Sequence, residues 1–296
     1  MVSKQEFTQL FLDLTQYTVP AGTESSLEKF LPKGYHKDSA GNYYIEVGQS
    51  STLFECHLDT AGYEVKKINH VIEGDIIKTD GSTILGGDNK AGVTILLSMI
   101  KERKPGVYYF FIAEERNGAG CKRIFTANPN YFIQFDRSIA FDRKAYGSVV
   151  NIQFGRPCCS PEFEEAIVKK LQDNGIPWDK TLSRGMGTDN AILMDVIPEV
   201  TNISSGTFNE HHNDEYVDID YTYRLFKAVM KINWEDLPTV RIAMDSSEYY
   251  KYENEMRLKM RNADYYKNEY EKLNKNIKES IFLKNFNDFK NKKGEN

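Results

Sequence analysis

The chain has 296 residues, enough to bury a sizeable core, so one domain plus an appendage is the natural expectation. Its 38 Lys and Arg against 43 Asp and Glu leave a net charge of −5, which gives no basic footprint for nucleic acid and no cationic surface for a membrane. At 40% hydrophobic and 12% aromatic the composition is globular, the apolar runs are too short to span a bilayer, and the charged N-terminus lacks the apolar stretch of a signal peptide.

Residues 4–17 carry Phe7, Leu10, Phe11 and Leu14 on one helical face, and residues 23–31 form a second short helix with Thr23 as its cap. Residues 42–47 and 52–56 read as strands, the second ending at His57. Residues 64–68 and 75–78 alternate around Glu73-Gly74 and predict a hairpin. A helix follows over 91–101. The continuous apolar run 107–112 then reads as a strand buried on both faces, delivering Glu114 and Glu115 at its end. Helix over 118–127, strand over 138–141 reaching Asp142, strand over 148–154 and helix over 161–174 come next. A helix over 188–196, a strand over 199–203 and a helix over 218–232 complete the alternation. The pattern predicts an α/β fold, a mixed, mainly parallel sheet with helices on both faces. Ligands of such sheets bind beyond the carboxyl ends of the strands, where His57, Glu114, Glu115 and Asp142 fall.

After Trp234 the composition changes. From Ser246 onward Lys, Glu, Asn and Tyr dominate without Pro, and Tyr249, Tyr252, Met256, Lys259, Ala263, Tyr266, Tyr270, Leu273, Ile277 and Ser280 step by three and four. The expected division is a catalytic domain over 1–236 and a charged, Tyr-rich helical tail over 246–296, helical over 246–285. That tail either self-associates or lies as a solvated helix on the core. Cys56, Cys121, Cys158 and Cys159 lack the spacing of a disulfide framework, and reduced thiols point to the cytoplasm.

Five segments in order carry the chemistry: CHLDT (56–60), GGDNKAG (86–92), AEERNGAG (113–120), AFDRK (140–144) and NEHHNDE (209–215). Each places His, Asp or Glu at a strand end or in a turn beside a helix, and such oxygen and imidazole donors suit zinc or a similar divalent ion. GGDNKAG lacks the residue order of a phosphate-binding loop. Adjacent acids such as Glu114 and Glu115 commonly mark a solvated helix start, but their place after an apolar strand favours functional groups.

Over residues 54–217 these segments resemble the di-zinc exopeptidases, the clan of tripeptidase T, the carboxypeptidase-G-like enzymes and the bacterial leucyl aminopeptidases. HLDTAG, GGDNKAG, GTDNA and the His-then-Glu segment are most similar to tripeptidase T. The resemblance implies that His57, Asp88 and Asp142 hold one metal ion, and that Asp88, Glu115 and His211 hold the other. It makes Asp88 the bridge, Glu114 the general base and Asp59 the group that steers His57. On spacing His212 competes with His211, and Glu215 is expected to support the chosen histidine. Arg184, in SRGMGTDNA, is matched to an arginine that faces a substrate carboxylate, with Met186 as an extra residue in the motif. Where relatives have two adjacent Asp residues this chain has Asp88-Asn89, joined in the family by a cis peptide. The stretch 143–160 is too short for the family's lid domain, so a lidless domain is expected. The implied activity is a two-zinc aminopeptidase or small-peptide exopeptidase using a bridging hydroxide, with cobalt or manganese as other metals and a short peptide or small amide as substrate. An N-acyl amino acid amidohydrolase is the alternative. A metal-free scaffold acting through its tail is the third reading.

Overall fold

A computed structural model describes residues 1–185, 188–259 and 275. The chain divides into two units, Met1–Ala243 and Met244–Asn296. The first begins with α1 (Lys4–Leu14), started by a capping box in which Ser3 and Glu6 satisfy each other's backbone N–H groups, and burying Phe7, Phe11 and Leu14. A 3-10 turn (Glu24–Phe30) replaces the expected second helix. The chain continues through β1 (His36–Lys37), β2 (Tyr43–Val47), β3 (Thr52–His57), β4 (His70–Glu73), β5 (Ile76–Thr79), α2 (Gly87–Lys101) and β6 (Gly106–Phe111). Then come α3 (Ala119–Ala127), α4 (Pro129–Phe132), β7 (Arg137–Arg143), β8 (Ile152–Gln153), β9 (Arg156–Pro157), α5 (Pro161–Gln172), β10 (Arg184–Gly185) and α6 (Asp189–Leu193). The unit closes with β11 (Glu199–Ser204), β12 (Thr207–Phe208), β13 (Tyr216–Asp218) and α7 (Ile219–Lys231).

The central sheet has the order β1-β2-β6-β3-β7-β11. Strands β6, β3, β7 and β11 run parallel, while β2 joins β6 antiparallel. Strand β6 shows why both faces are covered. Tyr108 and Phe110 enter one core with α1, α2, α5 and α7, whereas Val107, Tyr109 and Phe111 enter the other with α3, α4 and α6. A strand whose alternate side chains are all apolar is stable only between two layers. Helix α2 is buried on nearly every side, which explains why its sequence shows little polar face. Because β6, β3 and β7 are parallel neighbours, their C-terminal ends open at one edge. That register brings His57, the Glu114–Glu115 pair and Asp142 close together.

Two further sequence expectations are corrected. The hairpin forms, but its arms are β4 and β5, with Gly74 at φ +63° in the turn. The two-residue turn fixes the register, pairing Glu73 with Ile76 and His70 with Thr79. Residues 64–68 instead run beside the end of α1, where Thr18 N donates to Lys66 O and Ile68 N to Gln16 O. The strand expected over 148–154 is reduced to β8. Phe154 and Gly155, at φ +49° and +75°, turn the chain straight back into β9. Between β7 and α5 the described residues therefore hold one small hairpin. A second, antiparallel sheet, β12-β13-β5-β4, carries the loop containing His211.

The four cysteines are buried free thiols. Among the described residues no helix is long and apolar enough to cross a membrane. In the second unit α8 (Ser246–Lys259) is helical. The expected helix and its heptad positions from residue 260 onward lie outside the described residues, residue 275 excepted.

Candidate metal centre

His57 is buried at the end of β3, and its Nε2 lies 3.0 Å from Asp88 Oδ1, 3.5 Å from Asp142 Oδ1 and 3.9 Å from Glu114 Oε2. The other oxygen of Asp88 lies 3.2 Å from His211 Nε2, which is itself 2.9 Å from Glu115 Oε1. One carboxylate thus reaches both imidazoles. Two donor groups share it, His57–Asp88–Asp142 and Asp88–Glu115–His211, and a third, His57–Glu114–Glu115, overlaps them. Of the two adjacent histidines, His211 turns into the site, while His212 is exposed and its Nδ1 meets Glu210 O at 2.8 Å.

Each donor is set by local structure. Gly86, at φ +72°, and Gly87 allow the sharp entry to α2, since a Cβ on Gly87 would overlap Val217. The Asp88–Asn89 peptide is cis. Ala113 turns the end of β6 with φ +54°, and its N–H donates to Glu24 Oε1 at 3.0 Å. Asp142 N–H donates to Asn202 Oδ1 on the neighbouring β11 at 2.9 Å.

Asp59 differs from its expected role in how it acts. Its carboxylate accepts the N–H groups of Glu114 at 2.9 Å and Glu115 at 3.1 Å. His57 Nδ1 meets the Asp59 backbone carbonyl at 3.0 Å and the carboxylate only at 3.5 Å. The carboxylate is taken by the two amides, so the carbonyl orients the ring and the side chain orients the acids. Lys90 is fully buried, and its Nζ donates to the Leu58 and Asp59 carbonyls, fixing that same turn. Burial pushes the Lys90 ammonium down to about 8.

Glu215 also departs from expectation. Its carboxylate accepts Leu85 N–H at 2.9 Å and Gly86 N–H at 2.8 Å on one oxygen, and Asp88 N–H at 3.0 Å on the other. It therefore fastens the turn that carries Asp88. Arg184 is exposed and is not among the residues that line the two described lobes. Its carbonyl accepts from Arg143 Nη2 at 3.1 Å, and Arg143 is the arginine that lines the cleft. In AFDRK only the aspartate carries a ligand signal, and Arg143 follows it without one. Lys90 lies within GGDNKAG, while Asn202 and Glu24 carry no local signal.

The electrostatics expose a surplus of negative charge. Burial raises the Asp142 carboxyl well above its ordinary value, and Asp88 raises it further. Burial likewise raises Glu114, with Asp88 and Glu115 adding to it. For Asp88 burial works upward, but contacts with His211 and His57 outweigh it and hold the carboxyl low. Burial would lower His57, yet Asp142, Asp59 and Asp88 raise it well above the imidazole range. Asp88 and Glu115 push His211 up to about 11. Protonated imidazoles are thus the positive charges available within this cluster. Asp142 Oδ1 and Glu115 Oε1 are buried without a hydrogen-bond donor, although His211 Nε2 stands close to the latter. Unpaired buried carboxylate oxygens are costly, and convergent acceptors without donors fit a cation. The residues present therefore suit divalent metal ions.

Two lobes of a cleft meet at the cluster. One, of about 300 Å³, is lined by Asp88, Asp142, Arg143, Glu210 and His211 among others, and the second, of about 590 Å³, by Glu115, Lys122, Phe154 and Ile192. Glu114 and Thr188 line both.

No family model matches the sequence. The uncharacterized protein YqjE of Bacillus subtilis is 28% identical over 215 residues, 62% of this chain and 54% of that protein. The chain thus spans about half the length of the curated relative it matches. Among solved structures, the aminopeptidase PepT from Bacillus cereus is similar with a TM-score of 0.61 at 15% identity, covering 77% of this chain and 97% of that one. A tripeptidase from Staphylococcus aureus gives 0.59 at 18% identity, covering 78% and 97%. The Pyrococcus horikoshii TET1 peptidase gives 0.56 at 17% identity, covering 77% and 98%. At these identities the likeness establishes a shared fold.

Proposed function

We propose that this chain is a metal-dependent hydrolase of peptide or small amide bonds, acting as an aminopeptidase or small-peptide exopeptidase. The observation that carries the reading is Asp88, whose two oxygens lie against two different imidazoles, each with a further carboxylate beside it. In this reading His57, Asp88 and Asp142 hold one divalent ion, zinc by preference, and Asp88, Glu115 and His211 hold a second. Two such ions, when bound, polarise a carbonyl oxygen and make water acidic near neutral pH.

The chain's own groups supply the rest. Glu114 faces both lobes of the cleft, beside but outside the two donor groups that share Asp88. Its N–H is fixed by Asp59, and burial raises its carboxyl above the ordinary carboxylate value, the direction that strengthens it as a base. Glu114 removes a proton from the attacking water and delivers it to the leaving amine nitrogen. The aminopeptidase and the tripeptidase of similar fold act on peptides by name, and the described cleft has room for a short peptide or an acylated amino acid.

The test is metal content and turnover together. Purified protein should contain or take up zinc, and hydrolysis of short peptides should vanish on chelation and return with zinc or cobalt. Protein that takes up no zinc, and gains no activity when zinc is added, overturns the reading.

A further inference from the structure

The 300 Å³ lobe holds two cationic side chains next to the acidic cluster, Arg143 and Lys144, and they are not equivalent. Lys144 is already matched, with its Nζ 2.6 Å from Glu210 Oε1. Among the described residues the Arg143 side chain makes one hydrogen bond, from Nη2 to the Arg184 carbonyl, and no carboxylate pairs with it. Nε, Nη1 and the second Nη2 hydrogen remain, so one edge of the guanidinium, Nη2 with Nε or Nη2 with Nη1, stays open to a ligand. The backbone explains how Arg143 comes to share a cleft with its neighbour Asp142, since successive strand residues normally face opposite sides. Ala140 pairs with Asn202 but Arg143 with Ser204, so three steps along β7 meet two along β11. Such a bulge re-aims a side chain, and here it brings Asp142 and Arg143 to the same wall.

Charge gives the ligand's sign. With two divalent ions bound, Asp88, Glu114, Glu115 and Asp142 would balance them and Lys144 balances Glu210, which would leave the Arg143 guanidinium as the uncompensated charge of this lobe. A planar guanidinium with adjacent free N–H groups matches a carboxylate in two parallel hydrogen bonds.

We propose that Arg143 anchors a carboxylate of the substrate beside the scissile bond, so that the substrates are amides of free α-amino acids, dipeptides or N-acyl amino acids alike. The proposal rests on the hydrolase reading above for the bond that is cut. It gives the anchoring role expected of the exposed Arg184 to Arg143, which lines the 300 Å³ lobe.

The experiment is equilibrium binding to zinc-loaded full-length protein by calorimetry, with leucine and leucinamide as probes. They differ only in the carboxylate, the group an α-amino acid product would leave in this lobe. Leucine should bind about 10–100-fold more tightly, the scale of a charge-assisted hydrogen-bonded pair. Arg143→Gln should bring the ratio to about one, and Arg143→Lys should keep part of it, because charge survives and the paired geometry does not. Unchanged zinc content and melting temperature in both variants show that the fold persists. Equal affinity for the two probes in the unaltered protein overturns the proposal. So does a preference that survives Arg143→Gln, which would put the carboxylate on the metal ions, or one that disappears in Arg184→Gln instead. Turnover of alanyl-leucine and of N-acetyl-leucine is measured separately: absence of both removes the hydrolase reading, while the binding ratio still decides on Arg143.

Discussion

Replacing Glu215 by Gln changes one atom and tests how the centre is held. Glu215 is fully buried and accepts three backbone N–H groups from the turn between β5 and α2. Gln can keep an oxygen for Leu85 and Gly86, but its NH2 group then faces the N–H of Asp88, donor against donor. One hydrogen bond is lost and two buried donors, the Asp88 N–H and the new NH2, face each other, at about 1–3 kcal/mol for each stranded group. Space for relaxation is scarce, since Gly87 is packed against Val217 and Glu215 itself. The same displacement moves Asp88, so metal affinity should fall roughly 10–100-fold, as for other groups that orient a ligand. Denaturant unfolding of metal-free protein reads the first quantity and metal titration the second. Stability and affinity both within about 0.5 kcal/mol of the unaltered protein, the size of an ordinary surface substitution, would refute the reasoning. Lost stability with unchanged affinity would show that Asp88 is positioned without Glu215.

Glu114→Gln should retain metal and lose about 10²–10⁴-fold in kcat, whereas Asp88→Ala should lose metal as well; metal analysis beside peptide turnover separates the two. Because His211 is pushed up to about 11 by Asp88 and Glu115, it is protonated in metal-free protein at neutral pH, so loading must expel that proton. Apparent metal affinity should therefore rise from pH 6 to about pH 8, and calorimetry in buffers of different ionisation enthalpy should count at least about one proton released. At Glu235 burial works upward, but Ser50, Ser51 and Thr52 outweigh it and hold the carboxyl at about 2, against an ordinary 4.5. Its stabilisation is present above the ordinary value and fades as pH falls toward the lower one. Glu235→Gln should cost about 1 kcal/mol at pH 7, discounted for exposure, and almost nothing at about pH 2 by denaturant unfolding.

The elements legible in the sequence were those that bury a continuous face. The run ending in Phe111 could only be a strand covered on both sides, and the faces of α1, α5 and α7 were visible in their spacing. Segments decided by pairing were less legible. Residues 64–68 and 148–154 alternate as strands should, yet the first lost its place to β4 through the tight turn at Gly74. The second keeps only β8, since residues 148–151 pair through a single bridge, Val149 with Ile203, and the left-handed Phe154 and Gly155 then turn the chain back. Glycine at 155 hinted at that turn, but nothing in the identity of Phe154 announces a positive φ.

The candidate site shows the same division at the scale of single side chains. His57, Glu114, Glu115 and Asp142 were legible because a parallel sheet leaves its ligands at strand ends, so chain position stands in for spatial position. Their partners follow no such rule. Asn202 reaches Asp142 across the β7–β11 pair, Glu24 reaches Ala113 from the first turn after α1, and Glu215 crosses about half the chain to hold the Asp88 turn. Each forms a bond between a side chain and a distant backbone N–H, and a backbone N–H is the same at every residue but proline. The sequence can therefore show which groups do chemistry, while the groups that hold them still become visible only when the chain is folded. Asp59 is the instructive case, because its identity and its importance were both readable and its partners were not. A carboxylate two residues from a histidine suggests a ring partner, yet the fold spends it on the amides of Glu114 and Glu115 and lets a carbonyl orient the ring. Asp59→Asn should accordingly disturb Glu114 and Glu115 more than His57, because an amide offers one oxygen where two N–H groups now need one each.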